Sequence, residues 1–404
     1  MWSESLARVP ALRKGGVLDP KAQGGHHCPR GETAHTLNIH GKPQRTIWPA
    51  ADGVSVEVID QTRLPHAFVV ARLASLADAE HAIRAMVVRG APLIGATAAY
   101  GLWLALRADP SDASLLRASQ ALLSARPSGV NLRWALERMA AWLVPLPPAG
   151  RAAAARLRAA EICEEDVELN RAIGRAGLPL LRALAGRRPS GAPLNILTHC
   201  NAGWLGTVDF GTATAPIYLA HDAGIPVHVW VDETRPRNQG ASLTAWELLN
   251  HGVPHTVIAD NAGGHLMQRG RVDVVIVGTD RTTSTGDVCN KIGTYLKALA
   301  ARDNHVPFYA AVPSPSIDWR LRDGLGEIPI EERPAREVTH ISGRLADGSL
   351  GELALTPAGS PAANPSFDVT PAGLVTGLIT ERGVCEATEA GLRGLFPDTT
   401  GGLP

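Results

Sequence analysis

The sequence carries no net charge, no paired-cysteine motif and no apolar run of membrane length, and each absence removes a class of function. Lys+Arg and Asp+Glu both number 39. A nucleic-acid or anionic-membrane partner would leave a basic excess, so neither is expected. A local basic pocket for one phosphate remains compatible with that balance. The five cysteines (Cys28, Cys163, Cys200, Cys289, Cys385) are scattered and form no C-x-x-C pair. That excludes a disulfide framework or structural zinc module and favours a reduced compartment. The first residues include Arg8, Arg13 and Lys14 but no apolar stretch long enough for a secretory signal. No segment approaches the roughly 20 apolar residues of a membrane-spanning helix. A cytoplasmic location is expected. Nucleotide fingerprints are also missing: there is no G-x-G-x-x-G after the first strand of the second half and no G-x-x-x-x-G-K-[ST].

What is present is a globular composition, 45% hydrophobic and 19% charged, on a 404-residue chain too long for one ordinary core. Residues 1–37 show no sustained period and read as a loosely ordered extension. His26, His27 and Cys28 within it could bind a metal, although a solvated tail is the better reading. Residues 38–185 read as a smaller, mostly helical domain. Short strands lie before and within Val54–Ile59, and helices cover Leu76–Val88, Ile94 to Ala108, Leu132–Leu143 and Ala152–Ile173. Gly186–Pro193 is the linker candidate. In residues 186–390, apolar runs at Leu194–Thr198, Val227–Val231, Thr256–Ala259, Val272–Val277 and Pro307–Val312 alternate with helical segments. Those segments are Thr212–Asp222, Leu243–Asn250, Asn261–Gln268 and Asn290–Ala301. Continuous apolar strands alternating with helices predict an α/β fold with a Rossmann-like, doubly wound parallel sheet. Residues 391–404 read as a tail.

In such sheets ligands bind beyond the carboxyl ends of the strands, which is where the polar residues fall. The ends carry Thr198-His199-Cys200-Asn201, Asp232-Glu233, Asp260-Asn261, Gly278-Thr279-Asp280-Arg281 and Pro313-Ser314. Several have ordinary explanations. Asp260 fits a helix N-cap at least as well as a site, Asp232 and Glu233 could pair internally with Arg235 or Arg237, and a lone Cys200 is commonly a small buried hydrophobe. Asp280 follows an apolar strand directly; partial desolvation would raise its pKa and suit it to acid–base work. Lys291, expected in or just before the first turn of a helix, would oppose the helix dipole unless an anion binds there. Asn290 beside it could cap that helix, touch a ligand, or both. Arg89, in a Gly-Ala-Pro loop, could join an anion nest with the next helix N-terminus. Arg126 also precedes a helix, where a surface arginine is the plain reading.

These motifs have a counterpart. Asp60-Gln61-Thr62-Arg63-Leu64-Pro65, Val88-Arg89-Gly90-Ala91-Pro92, Thr198-His199-Cys200-Asn201-Ala202-Gly203, Asp232-Glu233-Thr234-Arg235-Pro236-Arg237 and Asn290-Lys291-Ile292-Gly293-Thr294 resemble the methylthioribose-1-phosphate isomerase family. So does Asn364-Pro365-Ser366-Phe367-Asp368. The resemblance runs in order from about residue 38 to 383. It extends to a wider group containing ribose-1,5-bisphosphate isomerases and regulatory subunits of the eukaryotic guanine-nucleotide exchange factor for translation initiation.

It implies a small N-terminal domain, a Rossmann-like C-terminal domain and a homodimer. It also implies an aldose–ketose isomerisation of a small-molecule sugar phosphate in methionine salvage; no readable motif requires a cofactor or a metal. By motif, Cys200 and Asp280 would be catalytic, and Arg89, Gly90, Ala91, Arg126, Gln239, Asn290 and Lys291 would contact substrate. Departures from the family pattern at Thr279, Thr282, the Asn261-Ala262-Gly263-Gly264-His265 stretch and Ser314–Trp319 leave the substituent at C5 open. An isomerase of 5-deoxyribose 1-phosphate or ribose 1,5-bisphosphate, or a non-catalytic sugar-phosphate- or nucleotide-binding subunit, are the alternatives.

Overall fold

The structure, a computed structural model, describes residues 38–39, 42–127 and 129–398. The extension expected over residues 1–37, with its His26-His27-Cys28 cluster, lies outside them. The chain starts with strands β1 (Asn38–Ile39) and β2 (Lys42–Pro43), then an antiparallel sheet of β3 (Ile47–Pro49), β4 (Val56–Ile59) and β5 (Val70–Leu73). Five helices follow: α1 (Leu76–Arg84), α2 (Ala91–Ala108), α3 (Asp112–Ala125), α4 (Val130–Leu143) and α5 (Pro148–Ala185).

Helix α2 is the axis of this half. Nearly every side chain from Leu93 to Leu106 is buried, and α1, α3, α4 and α5 pack around it. It begins three residues before the sequence pattern suggests because Pro92 is tolerated in a first helical turn, where no intrahelical N–H bond is lost. Helix α1 stops earlier than expected, at Arg84. Met86 takes a left-handed φ of 60° and turns the chain into the loop that carries Arg89. Helix α3 is additional to the helices expected from the sequence; Ser111 caps it by accepting from Ser114 N–H, and Leu115, Ala118 and Leu122 give it a buried stripe. Helix α5 runs on past Ile173 because Gly174 and Gly177 let helix α6 (Ala215–Asp222) approach closely. A Cβ at those positions would lie 2.8 Å from Leu219 and 2.7 Å from Pro216.

The second half alternates β6 (Leu194–Thr198), α6, β7 (Val227–Asp232), α7 (Ala245–His251), β8 (His255–Ile258), α8 (Ala262–Gln268) and β9 (Val274–Val277). A hairpin of β10 (Arg281–Thr283) and β11 (Val288–Lys291) comes next, then α9 (Thr294–Asp303), β12 (Phe308–Ala311) and β13 (Ile317–Asp318). Two short helices, α10 (Gly324–Glu327) and α11 (Arg336–Thr339), lead into the hairpin β14 (His340–Arg344) and β15 (Leu350–Ala354). The last elements are β16 (Phe367–Thr370), β17 (Gly377–Thr380), β18 (Gly383–Cys385) and α12 (Glu389–Leu395).

Seven strands form one sheet in the order β18-β17-β12-β9-β6-β7-β8, parallel except for the edge pair β17–β18. All five strands read from the sequence are in it, within two residues of their expected limits. Side chains of one strand alternate between two cores. Leu194, Ile196, Val274 and Ile276 face α5, α6 and α7, while Leu197, Val275 and Val277 face α8, α9 and α12. The end of the chain is not simply a tail, since Leu392 and Phe396 are buried in the second of these cores. A smaller sheet, β13-β10-β11-β16, stands beside the large one. Among the described residues no helix is long and apolar enough to cross a membrane.

One buried acid couples the helical half to pH. Asp166 of α5 accepts the Val208 N–H at 2.7 Å, and burial pushes its carboxyl up to about 7. Between the ordinary carboxyl range and pH 7 the folded protein keeps a proton that the unfolded chain has lost. Stability from this group is therefore full at low pH, falls as pH rises through that window and levels off above it. Urea unfolding of Asp166→Asn at several pH values should remove a slope of about 1.4 kcal/mol per pH unit. Parallel curves for the two proteins would refute the assignment.

Candidate active site

Strand order reverses between β6 and β9: the chain proceeds outward from β6 through β7 to β8, then returns to place β9 on the other side of β6. Such a reversal opens a crevice at the carboxyl ends of the two central strands. Cys200 follows β6 and Asp280 follows β9, so the two candidates stand on adjacent strands at the crevice. A cleft there is lined by Arg89, Gly90, Ala91, Arg126, Cys200, Gln239, Asp280 and Lys291, with Met86, Ile94, Leu132, Cys289, Ile328 and Phe367 as apolar walls.

Of the nine residues singled out from sequence, Asn290 alone is outside the lining. It lies within β11 and donates from Nδ2 to Thr294 Oγ1 at 3.1 Å. It is not a helix cap: α9 starts at Thr294, its N-cap is Gly293, and Asp368 accepts the N–H groups of Gly293 and Tyr295. Lys291 likewise ends strand β11 instead of opening a helix. The dipole argument for it therefore fails, and a stronger one takes its place. Lys291 is only 6% exposed, donates to the Ser366 carbonyl at 2.8 Å and lies 4.6 Å from the centre of the Phe367 ring. Burial lowers its pKa, while Cys200 and Asp280 pull it back up. An ammonium held this far from solvent, with no carboxylate salt bridge among the described residues, is suited to meet an incoming anion.

Arg126, at the C-terminus of α3, is also withdrawn from solvent, contrary to a plain surface arginine. Its guanidinium is 3.7 Å from Glu331. Arg89 is fixed by Asn201, donating to Oδ1 at 2.5 Å and to the main-chain oxygen at 2.7 Å. Gly90 takes φ 92° and presses on Gly206 so closely that a Cβ would sit 2.2 Å from the Gly206 carbonyl oxygen. Gln239 is buried and its Oε1 has no hydrogen-bond partner among the described residues, leaving an acceptor for a ligand hydroxyl.

Cys200 has a left-handed φ of 66°, a conformation costing about 1–3 kcal/mol for a residue with a side chain. Its N–H donates to Thr234 Oγ1 at 2.9 Å and its carbonyl accepts from Thr244 Oγ1 at 2.7 Å, so both sides of the peptide are held. Burial pushes the thiol pKa up, against the pull of Arg89 and Lys291. Asp280 is anchored by its N–H to the Cys289 carbonyl at 2.9 Å. Among the described residues its carboxyl has no hydrogen-bond partner. Burial raises its pKa, opposed by Lys291, Arg126 and Arg89. The site thus combines an acid biased toward its protonated form, a neutral thiol and three cations.

The remaining strand-end acids do structural work. Asp260 accepts the N–H groups of Thr234 and Arg235, both at 2.7 Å, and is not the N-cap that the sequence allowed. Asp232 pairs with Lys297 at 3.0 Å and His199 at 2.9 Å, not with Arg235 or Arg237; Arg237 pairs with Glu337 instead. His199, Asp232 and Asp260 bring ligand-type atoms within 4.8 Å of one another, but the Lys297 ammonium already supplies positive charge there. The other ring nitrogen of His199 meets the Ile292 carbonyl at 2.8 Å, tying the end of β6 to the residue after Lys291.

A cation-lined cleft at the strand reversal of a mostly parallel sheet defines an α/β protein with a site suited to a small anionic ligand. Residues 87–387 match the Initiation factor 2 subunit family. Methylthioribose-1-phosphate isomerase of Rhodospirillum rubrum is 67% identical over 90% of this chain and 94% of its own length; that of Methylorubrum populi is 67% identical over 90% and 99%. The crystal structure of 5-methylthioribose 1-phosphate isomerase from Pyrococcus horikoshii OT3 superimposes with a TM-score of 0.75 at 39% identity, covering 88% of this chain and 96% of that one. The translation initiation factor eIF-2B, subunit delta, from A. fulgidus gives 0.71 at 35% identity, covering 87% and 99%. The chain belongs to the methylthioribose-1-phosphate isomerase family.

Proposed function

We propose that the cleft isomerises 5-methylthioribose 1-phosphate to 5-methylthioribulose 1-phosphate in methionine salvage, with Cys200 and Asp280 as its catalytic pair. The observation that carries this reading is the meeting of a raised-pKa acid, a neutral thiol and the cations Arg89, Arg126 and Lys291 in one cleft. Phosphate on C1 prevents ring opening to a free aldehyde, so the C1–O bond to the ring oxygen must break while C2 becomes a carbonyl. Protonated Asp280 gives its proton to the departing ring oxygen. Hydrogen moves from C2 to C1 with its electron pair, and the Asp280 carboxylate takes the proton of the C2 hydroxyl. Atoms and electrons balance within the substrate, so no external oxidant or reductant enters. The thiol is the wrong protonation state for a base, which favours the internal hydride shift over an enediolate route; Cys200 packs over C1–C2 and excludes water.

Arg89, Lys291 and Arg126 take the phosphate, with Gly90 and Ala91 letting it approach the main chain; Gln239 takes a sugar hydroxyl, and Asn290 supports Lys291 from the neighbouring strand position. Ile94, Leu132, Ile328 and Phe367 suit an apolar methylthio group better than a second phosphate. We read residues 38–185 and 186–390 as two domains, the latter Rossmann-like, in a cytoplasmic homodimer without nucleic-acid or membrane partners.

Turnover of the three candidate sugars, followed by NMR in D2O, tests the reading. The kcat/KM for the methylthio sugar should exceed those for 5-deoxyribose 1-phosphate and ribose 1,5-bisphosphate, with no deuterium at C1 of the ketose. Preference for either other sugar would replace the substrate. Deuterium at C1 would replace the hydride route, and absence of turnover with all three would favour a binding subunit.

A further inference from the structure

Glu247 of α7 is fully buried, yet it lies outside the cleft and takes no part in the chemistry above. Its carboxylate sits inside the loop that follows Cys200 and accepts four hydrogen bonds. Oε1 receives Asn201 Nδ2 and Leu205 N–H, both at 2.8 Å; Oε2 receives Trp204 N–H at 3.1 Å and Tyr218 Oη at 3.0 Å. The loop has room for it only because residue 203 is glycine, where a Cβ would fall 1.8 Å from Oε2.

The Asn201 amide has two ends. Its nitrogen also donates to Thr244 Oγ1 at 3.1 Å, and Thr244 in turn holds the Cys200 carbonyl. With the nitrogen committed to Glu247 and Thr244, the oxygen must face the other way, where it meets Arg89 at 2.5 Å. The same loop contributes the Asn201 carbonyl to the second arm of the guanidinium and the Gly206 main chain to Gly90. We propose that Glu247 is a positioning residue for phosphate binding: by fixing the orientation of Asn201 it aims the guanidinium of Arg89 into the cleft. The proposal rests on the reading of Arg89 as a phosphate contact. Burial pushes the Glu247 carboxyl up to about 7, against the pull of Asn201, Leu205 and Tyr218.

Glu247→Gln keeps shape but replaces one acceptor with a donor, so at least one of the four donors loses its partner and the Asn201 amide is free to turn. KM for the sugar phosphate and the competitive Ki of inorganic phosphate should rise together by about tenfold, with kcat changed by less than about threefold. On an Arg89→Ala background Glu247→Gln should add less than about twofold, because the group through which it acts is gone. Glu247→Asp keeps an acidic acceptor but shortens its reach to Asn201, and it decides the matter if Glu247→Gln does not fold. An unchanged phosphate Ki in both variants, or an effect equally large without Arg89, would overturn the proposal alone. An Arg89→Ala protein with normal phosphate affinity would overturn the underlying reading of Arg89 and the proposal with it.

Discussion

Asp280→Asn should lower kcat by about 10⁴-fold while leaving KM, phosphate affinity and the melting curve close to those of the unaltered protein. General acid–base catalysis contributes about 10²–10⁴ per proton transfer, and here one carboxyl serves both transfers, giving to the ring oxygen and taking from the C2 hydroxyl. Asparagine has nearly the same shape and can do neither. Structure should survive because Asp280 is anchored through its main-chain N–H to the Cys289 carbonyl, which the substitution keeps. The rate should also fall as pH rises and Asp280 loses the proton it must donate. Burial places that limb above the ordinary carboxyl range. Steady-state kinetics with inorganic phosphate inhibition separates the cases: a variant keeping more than about a tenth of kcat would remove Asp280 from the chemistry.

The second large effect is expected at Gly90. Gly90→Ala combines two penalties, a side chain at φ 92° and a Cβ 2.2 Å from the Gly206 carbonyl oxygen. Strain and overpacking each cost about 1–3 kcal/mol, so denaturant unfolding should report a loss on the order of 2–6 kcal/mol. The contact lies between the Arg89 loop and the loop after Cys200, so relieving the clash separates two walls of the cleft. A shift of about 1 Å there can cost about 10²-fold in rate. Gly53→Ala is the control: its φ is 71° but nothing lies within 4 Å of a Cβ. It should show the conformational penalty alone, at unchanged kcat/KM. Equal losses in the two variants would show that packing against Gly206 contributes nothing.

The parallel strands and most of their helices were legible because buried strands are written as continuous apolar runs and the helices between them have a clear period. Helix α3 is hard to read from the sequence because its buried stripe is short, although the Ser111 cap is present. Strands β17 and β18 have no such bounded run; β17 joins the sheet by pairing with β12, and β18 by pairing with β17. At the site, Cys200 and Asp280 could be placed at strand ends, but not the fact that their strands are neighbours, which depends on the order in which the chain lays them down. Lys291 shows the reverse failure. The helical period that begins at Thr294 continues back through Asn290 in the sequence, and the short, polar β10–β11 hairpin does not interrupt it. The roles of Asp232 and Asp260 could not be separated from a ligand site by spacing. Their partners Lys297, His199 and Thr234 come from three different elements.

The account stands or falls on where the sugar phosphate sits, and a crystal structure with the ketose product bound measures that directly. It should show the phosphate between Arg89 and Lys291 and the C1–C2 bond between the Cys200 thiol and the Asp280 carboxyl, with the methylthio group against Phe367 and Ile328. Product bound elsewhere, or bound here with its C1–C2 bond turned away from both Cys200 and Asp280, would contradict it.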